Sequence, residues 1–372
     1  MNKTILSIAF TALLAAGHVF AANSYETIQM WKELAAQGNQ EAQAALALAY
    51  YEGDGVLMNK SEAVKWYRKA AEQGCAPAQY LLGLCYYKGD GVAKDLQQAV
   101  MWFRKAAEQG LAEAQFNLGV SYENGEGVEK DLQQAAIWYR KAAEQGCALA
   151  QFNLGGCYKN GHGVAKDLQQ AVMWWRKAAE QGLAQAQYNL GGCYVNGEGV
   201  AKDVQQAAVW FRKAAEQGLA DGQYSLGVCY TNGYGVAKDV QQAAMWYRKA
   251  AEQGCAQAQY NLGLCYANGH GVAKDLQQAV MWWRKAAEQG LAQAQYNLGG
   301  CYVNGEGVAK DVQQAAVWFR KAAEQGLAEA KEVLKGFKGT QSADTGNKTP
   351  EPTTGALSLL ALAGLAARRR RK

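Results

Sequence analysis

From Asn39 to Gly326 the chain repeats one pattern of apolar and polar positions every 36 residues, marked by Gly38, Gly74, Gly110, Gly146, Gly182, Gly218, Gly254, Gly290 and Gly326. These glycines bound eight repeats. A half-repeat, Ser24 to Gln37, precedes them, and a truncated one, Leu327 to Gly336, follows. Atypical ends suit a stacked array, because terminal units face water on one side. In the repeat Leu183 to Gly218, the stretch Ala184 to Tyr194 carries apolar residues at helical spacing and predicts a first helix, A. Asn196-Gly197-Glu198-Gly199 breaks it with glycines that take positive φ at little cost. Asp203, with Gln206 three residues on, has the pattern of a capping box and opens helix B, which runs to about Gln217 before Gly218 stops it.

At about 100° per residue, Val204, Ala207, Ala208, Phe211, Ala214 and Ala215 share one arc of helix B, with Arg212, Lys213 and Glu216 opposite. The first set reads as core and the second as solvated surface. Trp210 sits at the edge of the arc and recurs as Trp66, Trp102, Trp138, Trp174, Trp246, Trp282 and Trp318. A tryptophan stripe can stack ligands, but this spacing favours packing between neighbouring repeats. The fold expected over residues 24–336 is all-α, a right-handed α/α solenoid of eight 36-residue helix-loop-helix repeats.

Asn189-Leu190-Gly191 with Tyr194, then Gly197-Glu198-Gly199-Val200, Asp203, Ala207, Trp210-Phe211, Ala214-Ala215 and Gly218 resemble the SEL-one-like repeat (SLR), a relative of the tetratricopeptide repeat. The first repeat departs most, with Asn59 in place of the capping Asp and Lys60 in place of Leu or Val. Asn160 to Ala220 is identical to Asn268 to Ala328, three repeats later, which points to duplication of a multi-repeat block.

Three positions of helix A vary most. They are Pro77, Glu113, Leu149, Gln185, Asp221, Gln257 and Gln293; Leu84, Val120, Gly156, Gly192, Val228, Leu264 and Gly300; and Tyr87, Glu123, Lys159, Val195, Thr231, Ala267 and Val303. Their spacing places them within about 80° of one helix face. The aromatic series from Tyr80 to Tyr296 and the asparagine series that includes Asn196 and Asn268 flank that face. The resemblance implies that helix A lines the concave side, where tetratricopeptide-like solenoids hold peptides. The candidate partner-binding residues are therefore Tyr87, Glu113, Glu123, Lys159, Gln185, Asn196, Asp221, Thr231, Gln257, Asn268 and Gln293. The competing reading is neutral drift on an exposed face, with the aromatic series as core. A loop position, Asp54, Asp90, Glu126, His162, Glu198, Tyr234, His270 and Glu306, also varies and reads as solvated.

Charge narrows the class. The net +5 comes from the ends, since Arg368 to Lys372 alone carry five positive charges and Lys3 one more. The repeat body is near neutral and lacks the footprint of a nucleic-acid binder. Residues 1–21 read as a signal peptide: Lys3, an apolar run from Ile5 to Gly17, and Val19-Phe20-Ala21 as cleavage site; a retained anchor is the rival reading. A polar linker, residues 337–349, leads to Pro350-Glu351-Pro352, an apolar stretch from Gly355 to Ala367, and the basic cluster. As a helix that stretch spans about 20 Å, short of the ~30 Å hydrocarbon core. The order of parts over residues 350–372 resembles the PEP-CTERM sorting signal. It implies transient membrane insertion, processing by an exosortase-like enzyme, and delivery to the periplasm, outer envelope or extracellular matrix. A plain tail anchor is the alternative.

The residues offer no catalytic set and imply no cofactor or metal. His162 and His270 are copies of one loop position, and no zinc-ligand spacing, nucleophile elbow or P-loop ending appears. Cys75, Cys147 and Cys255 share the first repeat position; Cys85, Cys157, Cys193, Cys229, Cys265 and Cys301 share the eleventh. Both positions read as the core arc of helix A, so the thiols act as small hydrophobes. Some SLR proteins carry disulfides that pair cysteines across the two helices, but helix B here has none. The function expected is an exported, non-catalytic scaffold holding a protein or peptide. A glycan-binding matrix component and a hydrolase of cell-wall or β-lactam substrates are the alternatives. Thiol titration in denaturant without reductant is expected to count nine reactive cysteines; a lower number would establish inter-repeat disulfides.

Overall fold

The computed structural model describes residues 25–341, with side chains to Gly336. The expected signal peptide (1–21) and sorting tail (350–372) lie outside the described residues, as does most of the expected linker. Among the described residues the chain is an all-helical solenoid with no strand. Helix α1 (Tyr25–Ala36) precedes eight A–B pairs: α2 (Gln40–Glu52) and α3 (Lys60–Glu72), α4 (Ala76–Lys88) and α5 (Leu96–Glu108), α6 (Ala112–Asn124) and α7 (Leu132–Glu144), α8 (Ala148–Asn160) and α9 (Leu168–Glu180), α10 (Ala184–Asn196) and α11 (Val204–Glu216), α12 (Ala220–Asn232) and α13 (Val240–Glu252), α14 (Ala256–Asn268) and α15 (Leu276–Glu288), α16 (Ala292–Asn304) and α17 (Val312–Glu324). Helix α18 (Ala328–Gln341) follows and runs into residues expected as linker. Contacts divide the chain into two units, residues to Ala186 with Glu198–Val200, and Gln187–Gly197 with residues from Ala201 onward. Each unit is a stack of the same helix pairs.

Helix A ends two residues later than the apolar pattern suggests, because the following glycine closes it. Gly125, at φ 75°, donates its N–H to the Ser121 carbonyl at 2.9 Å. Asp203 caps helix B by accepting from the Gln206 N–H at 2.9 Å. The expected capping box is only half made, since the Asp203 N–H goes to the Tyr194 carbonyl of helix A at 2.9 Å. The cap thereby ties the two helices together. The departures in the first repeat are absorbed. Asn59 accepts from the Glu62 N–H at 3.0 Å, and Lys60 turns outward to pair with Asp90 at 2.6 Å.

The core arc is as expected, with Ala207, Ala208, Phe211, Ala214 and Ala215 buried and Val204 half-buried. Trp210 is buried rather than marginal, and its Lys213 ammonium lies 4.0 Å from the ring centroid. Arg212 is exposed but donates to the Tyr230 hydroxyl of the next repeat at 2.9 Å. Cys75, Cys147 and Cys255 stand at the N-cap of helix A, one step before the arc assigned to them, and the last two are half-buried. The eleventh-position thiols are buried as expected.

Helix B lays one aromatic ring on helix A of its own repeat, over a glycine. A Cβ on Gly119 would stand 2.7 Å from the Tyr139 ring, and one on Gly155 would stand 2.5 Å from the Trp175 ring. A buried glutamine, not anticipated from the sequence, sits four residues before that glycine. Gln79 donates to the Ala71 carbonyl of the preceding repeat at 3.0 Å and accepts from Gln109, at the end of its own helix B, at 2.7 Å. The same pair of bonds recurs at Gln115, Gln151, Gln223, Gln259 and Gln295. Each such amide joins three helices and satisfies a carbonyl at the end of the preceding helix B. Gly119→Val is expected to destabilise by about 1–3 kcal/mol through overpacking. Gly156→Ala, whose new Cβ has no heavy atom within 4 Å, is expected to stabilise by up to about 1 kcal/mol. Urea midpoints of the two variants check the contrast, and equal shifts would refute the ring-on-glycine account.

Candidate functional site

The candidate face is built on helix A, and its three variable positions differ in kind. At the outermost, Gln185, Asp221, Gln257 and Gln293 are exposed and Glu113 is half-buried. At the middle one, Gly156, Gly192 and Gly300 open shallow notches, because a Cβ there would meet nothing within 4 Å.

The innermost position is engaged within the protein. Tyr139 donates its hydroxyl to Glu123, and Thr231 Oγ1 donates to the Gly227 carbonyl at 2.9 Å and lies 2.9 Å from the Tyr247 hydroxyl. Lys159 Nζ lies 5.6 Å from the Trp175 ring centroid. Tyr87 donates to Glu126 of the next repeat at 3.0 Å. In several repeats the residue here matches the aromatic that helix B presents, Glu123 and Thr231 facing a tyrosine and Val195 and Val303 accompanying Phe211 and Phe319, whereas Tyr87 accompanies Phe103. Exposed Asn268 turns its amide back to the Leu264 carbonyl at 2.8 Å, while Asn196 is exposed at the end of α10.

The flanking aromatic series packs rather than projecting freely. Tyr80, buried, has its ring centroid 5.8 Å from Phe103, and Tyr224 lies 6.0 Å from Tyr247. Asn117 donates to the Tyr80 hydroxyl across the repeat junction at 3.2 Å. Burial, followed by the Glu123 carboxylate, pushes the Tyr139 phenol far up. Burial alone lifts the Cys229 thiol to about 11, and burial with Glu306 lifts Cys301 to about 12. Such thiols stay protonated at neutral pH, the reverse of an activated nucleophile. Among the described residues no three His, Cys, Asp or Glu come together as metal ligands.

The loop position is only partly solvated. His162, His270 and Tyr234 are exposed, but Asp90 reaches back to the preceding repeat. It accepts from Lys60 Nζ and from the Tyr51 hydroxyl, each at 2.6 Å.

Between α12 and α14, over α13, a cavity of about 310 Å³ opens on the helix-A face. Val228, Leu264, Val240, Ala243 and Cys265 supply apolar wall; Tyr224, Tyr247, Thr231, Asn232, Asn261 and His270 supply hydroxyl, amide and imidazole groups. No carboxylate, lysine or arginine is among the lining residues. Burial pushes the phenols of Tyr224 and Tyr247 up, and the Asn261 amide beside them acts the other way. Of the candidate residues only Thr231 lines this cavity.

Paired helices stacked through buried amides, with an open face on helix A, define an α/α repeat scaffold. The chain belongs to the Sel1 repeat family, whose repeat matches residues 40–75, 76–111, 112–147, 148–183, 184–219, 220–255, 256–291 and 292–327. It is similar to c5321, a protective antigen present in uropathogenic Escherichia coli strains that displays an SLR fold, with 39% identity over 91% of this chain and 72% of that one and a TM-score of 0.79. It is also similar to a Sel1 repeat protein from Oxalobacter formigenes, with 34% identity over 88% of this chain and 92% of that one and a TM-score of 0.64. No curated protein matches the sequence at a significant level.

Hydrogen bonds from Lys60 and Tyr51 hold the Asp90 carboxyl below the usual carboxylate range, against the opposing effect of burial. A folded value below the unfolded one means that the stabilisation is full above about pH 4 and fades as the pH falls through the folded value. Asp90→Asn is expected to cost about 0.2–1 kcal/mol at neutral pH and to flatten the acid limb of the stability–pH curve. Unchanged acid sensitivity would show that the contact contributes nothing.

Proposed function

We propose that this chain is an exported, non-catalytic scaffold that holds a protein or peptide partner on its helix-A face, in the periplasm, outer envelope or extracellular matrix. The observation that carries the proposal is the cavity between α12 and α14, which opens on the face where sequence variation concentrates. Its lining has apolar walls with hydroxyl, amide and imidazole groups, so a side chain that offers hydrogen bonds without a formal charge fits it. A buried ammonium or carboxylate would find no counter-charge there and would lose its hydration uncompensated. Exposed Gln257 and Asp221 stand on the same helices and provide polar contacts at the rim.

The raised thiols and the structural engagement of Glu123 and Tyr139 support a binding rather than a catalytic role. Export is supported by the sequence of the two ends. An exosortase-like enzyme would act near Pro350-Glu351-Pro352, with the apolar run from Gly355 to Ala367 entering the membrane transiently.

A photocrosslinking side chain placed at Gln257 in cells is expected to capture a discrete protein partner, while one at Val209 on helix B captures none. Thr231→Glu and Leu264→Trp, which charge and fill the cavity, are each expected to weaken that partner's binding at least tenfold. Binding indifferent to both variants would overturn the proposal. Glycan-array binding without a protein partner would turn it to a carbohydrate ligand.

A further inference from the structure

The cavity over α13 has a counterpart three repeats earlier in the chain. Seven of its eleven lining positions carry the same residue there, among them Tyr247 as Tyr139, Asn261 as Asn153 and His270 as His162, so the two places can be compared side chain by side chain. Four positions differ. Tyr224 stands where the earlier place has Phe116, Val240 where it has Leu132, Leu264 where it has Gly156, and Thr231 where it has Glu123.

In the first unit the chain fills this niche with its own side chain. Half-buried Glu123 accepts from the Tyr139 hydroxyl, with the Asn153 amide beside the same phenol. In the second unit the residue at that place is shorter. Thr231 Oγ1 lies 2.9 Å from the Tyr247 hydroxyl and turns its own proton to the Gly227 carbonyl, also at 2.9 Å. Val240 is one carbon shorter than Leu132, and Tyr224 adds a hydroxyl that Phe116 lacks. About 310 Å³ of space is left, and the tyrosine, asparagine and histidine of the niche remain in its wall. The earlier counterpart of these groups holds the planar, oxygen-bearing end of a glutamate.

The charge of that end does not transfer to a ligand. A carboxylate brought from outside would shed its water with no lysine or arginine in the lining. A carboxamide has the same shape and keeps an oxygen that accepts from a phenol, with N–H donors in place of the charge. Glutamine carries that group at the reach of glutamate. Asparagine is one carbon shorter, and serine and threonine have no planar end.

We propose that the cavity seats a glutamine side chain of the partner, whose carboxamide oxygen accepts from Tyr247 as Glu123 accepts from Tyr139. The proposal rests on the reading of this cavity as the partner site. On binding, the Tyr247 hydroxyl turns from Thr231 Oγ1 to the incoming oxygen, and Thr231 keeps its bond to the Gly227 carbonyl.

The test uses the full chain with isotope-labelled valine and leucine methyl groups, titrated in NMR spectra with the N-acetyl methylamides of glutamine, glutamate and leucine. The glutamine probe is expected to shift the Val228 and Leu264 methyl signals saturably, and the other two to bind about tenfold more weakly. In Thr231→Gln, where the chain supplies its own carboxamide, the shifts are expected to vanish. No saturable shift with the glutamine probe, equal or tighter binding of either other probe, or shifts that persist in Thr231→Gln would overturn the proposal. A second readout does not depend on weak binding: Thr231→Gln is expected to have a higher urea midpoint than Thr231→Met, a side chain of similar length without the amide. A methionine variant of equal or greater stability would also overturn it. A protein captured at Gln257 while the glutamine probe fails would leave the scaffold reading standing and remove only the glutamine.

Discussion

The contact on which the stack depends is the approach of one helix-B ring to the glycine near the middle of its helix A. At Gly155, Gly191 and Gly227 the ring atoms lie where a side chain would begin, so the two helices close to a distance that a side chain larger than the methyl of Ala47, its counterpart in the first repeat, would prevent. This approach fixes the angle at which helix B returns, and with it the direction from which the next helix A arrives. The second glycine of each loop works the same constraint from outside. A Cβ on Gly163 would overlap the Leu132 carbonyl, so the loop presses on the start of the preceding helix B.

Close backbone approach buries polar groups, and the repeat satisfies them with a small set of side chains. The glutamine amide joins three helix ends, Asp203 caps one helix while its backbone ties to another, and Arg212 reaches a tyrosine in the next repeat. A lysine three residues on covers each tryptophan of the series from Trp66 to Trp318 at the outer edge of the core, as Lys105 does for Trp102 at 4.4 Å. These bonds come from residues that look like ordinary surface polar groups.

The same economy bears on binding. Glu123, Lys159 and Thr231 vary along the array, but each faces an aromatic of its own repeat, so their variation reflects internal fit as well as any partner. The outer residues Gln185, Asp221, Gln257 and Gln293 are exposed instead, and Gly156, Gly192 and Gly300 leave notches on the same face. In the second unit Asp221 and Gln257 stand on the two A helices whose residues line a cavity with hydroxyl, amide and imidazole groups in its wall.

Period, helix pairing, caps and family were legible in the chain itself because they depend on local spacing: glycines every 36 residues, an aspartate before each helix B, and apolar residues on one arc. The burial of Trp210 was nearly legible for the same reason. The glutamine junctions, the ring over Gly155 and the partner of Glu123 were not, because each joins residues 16 to 30 positions apart, on different helices. One helical wheel shows which way a side chain points but not what stands opposite. Only the stacked structure decided which variable residues are engaged within the protein and where a cavity opens.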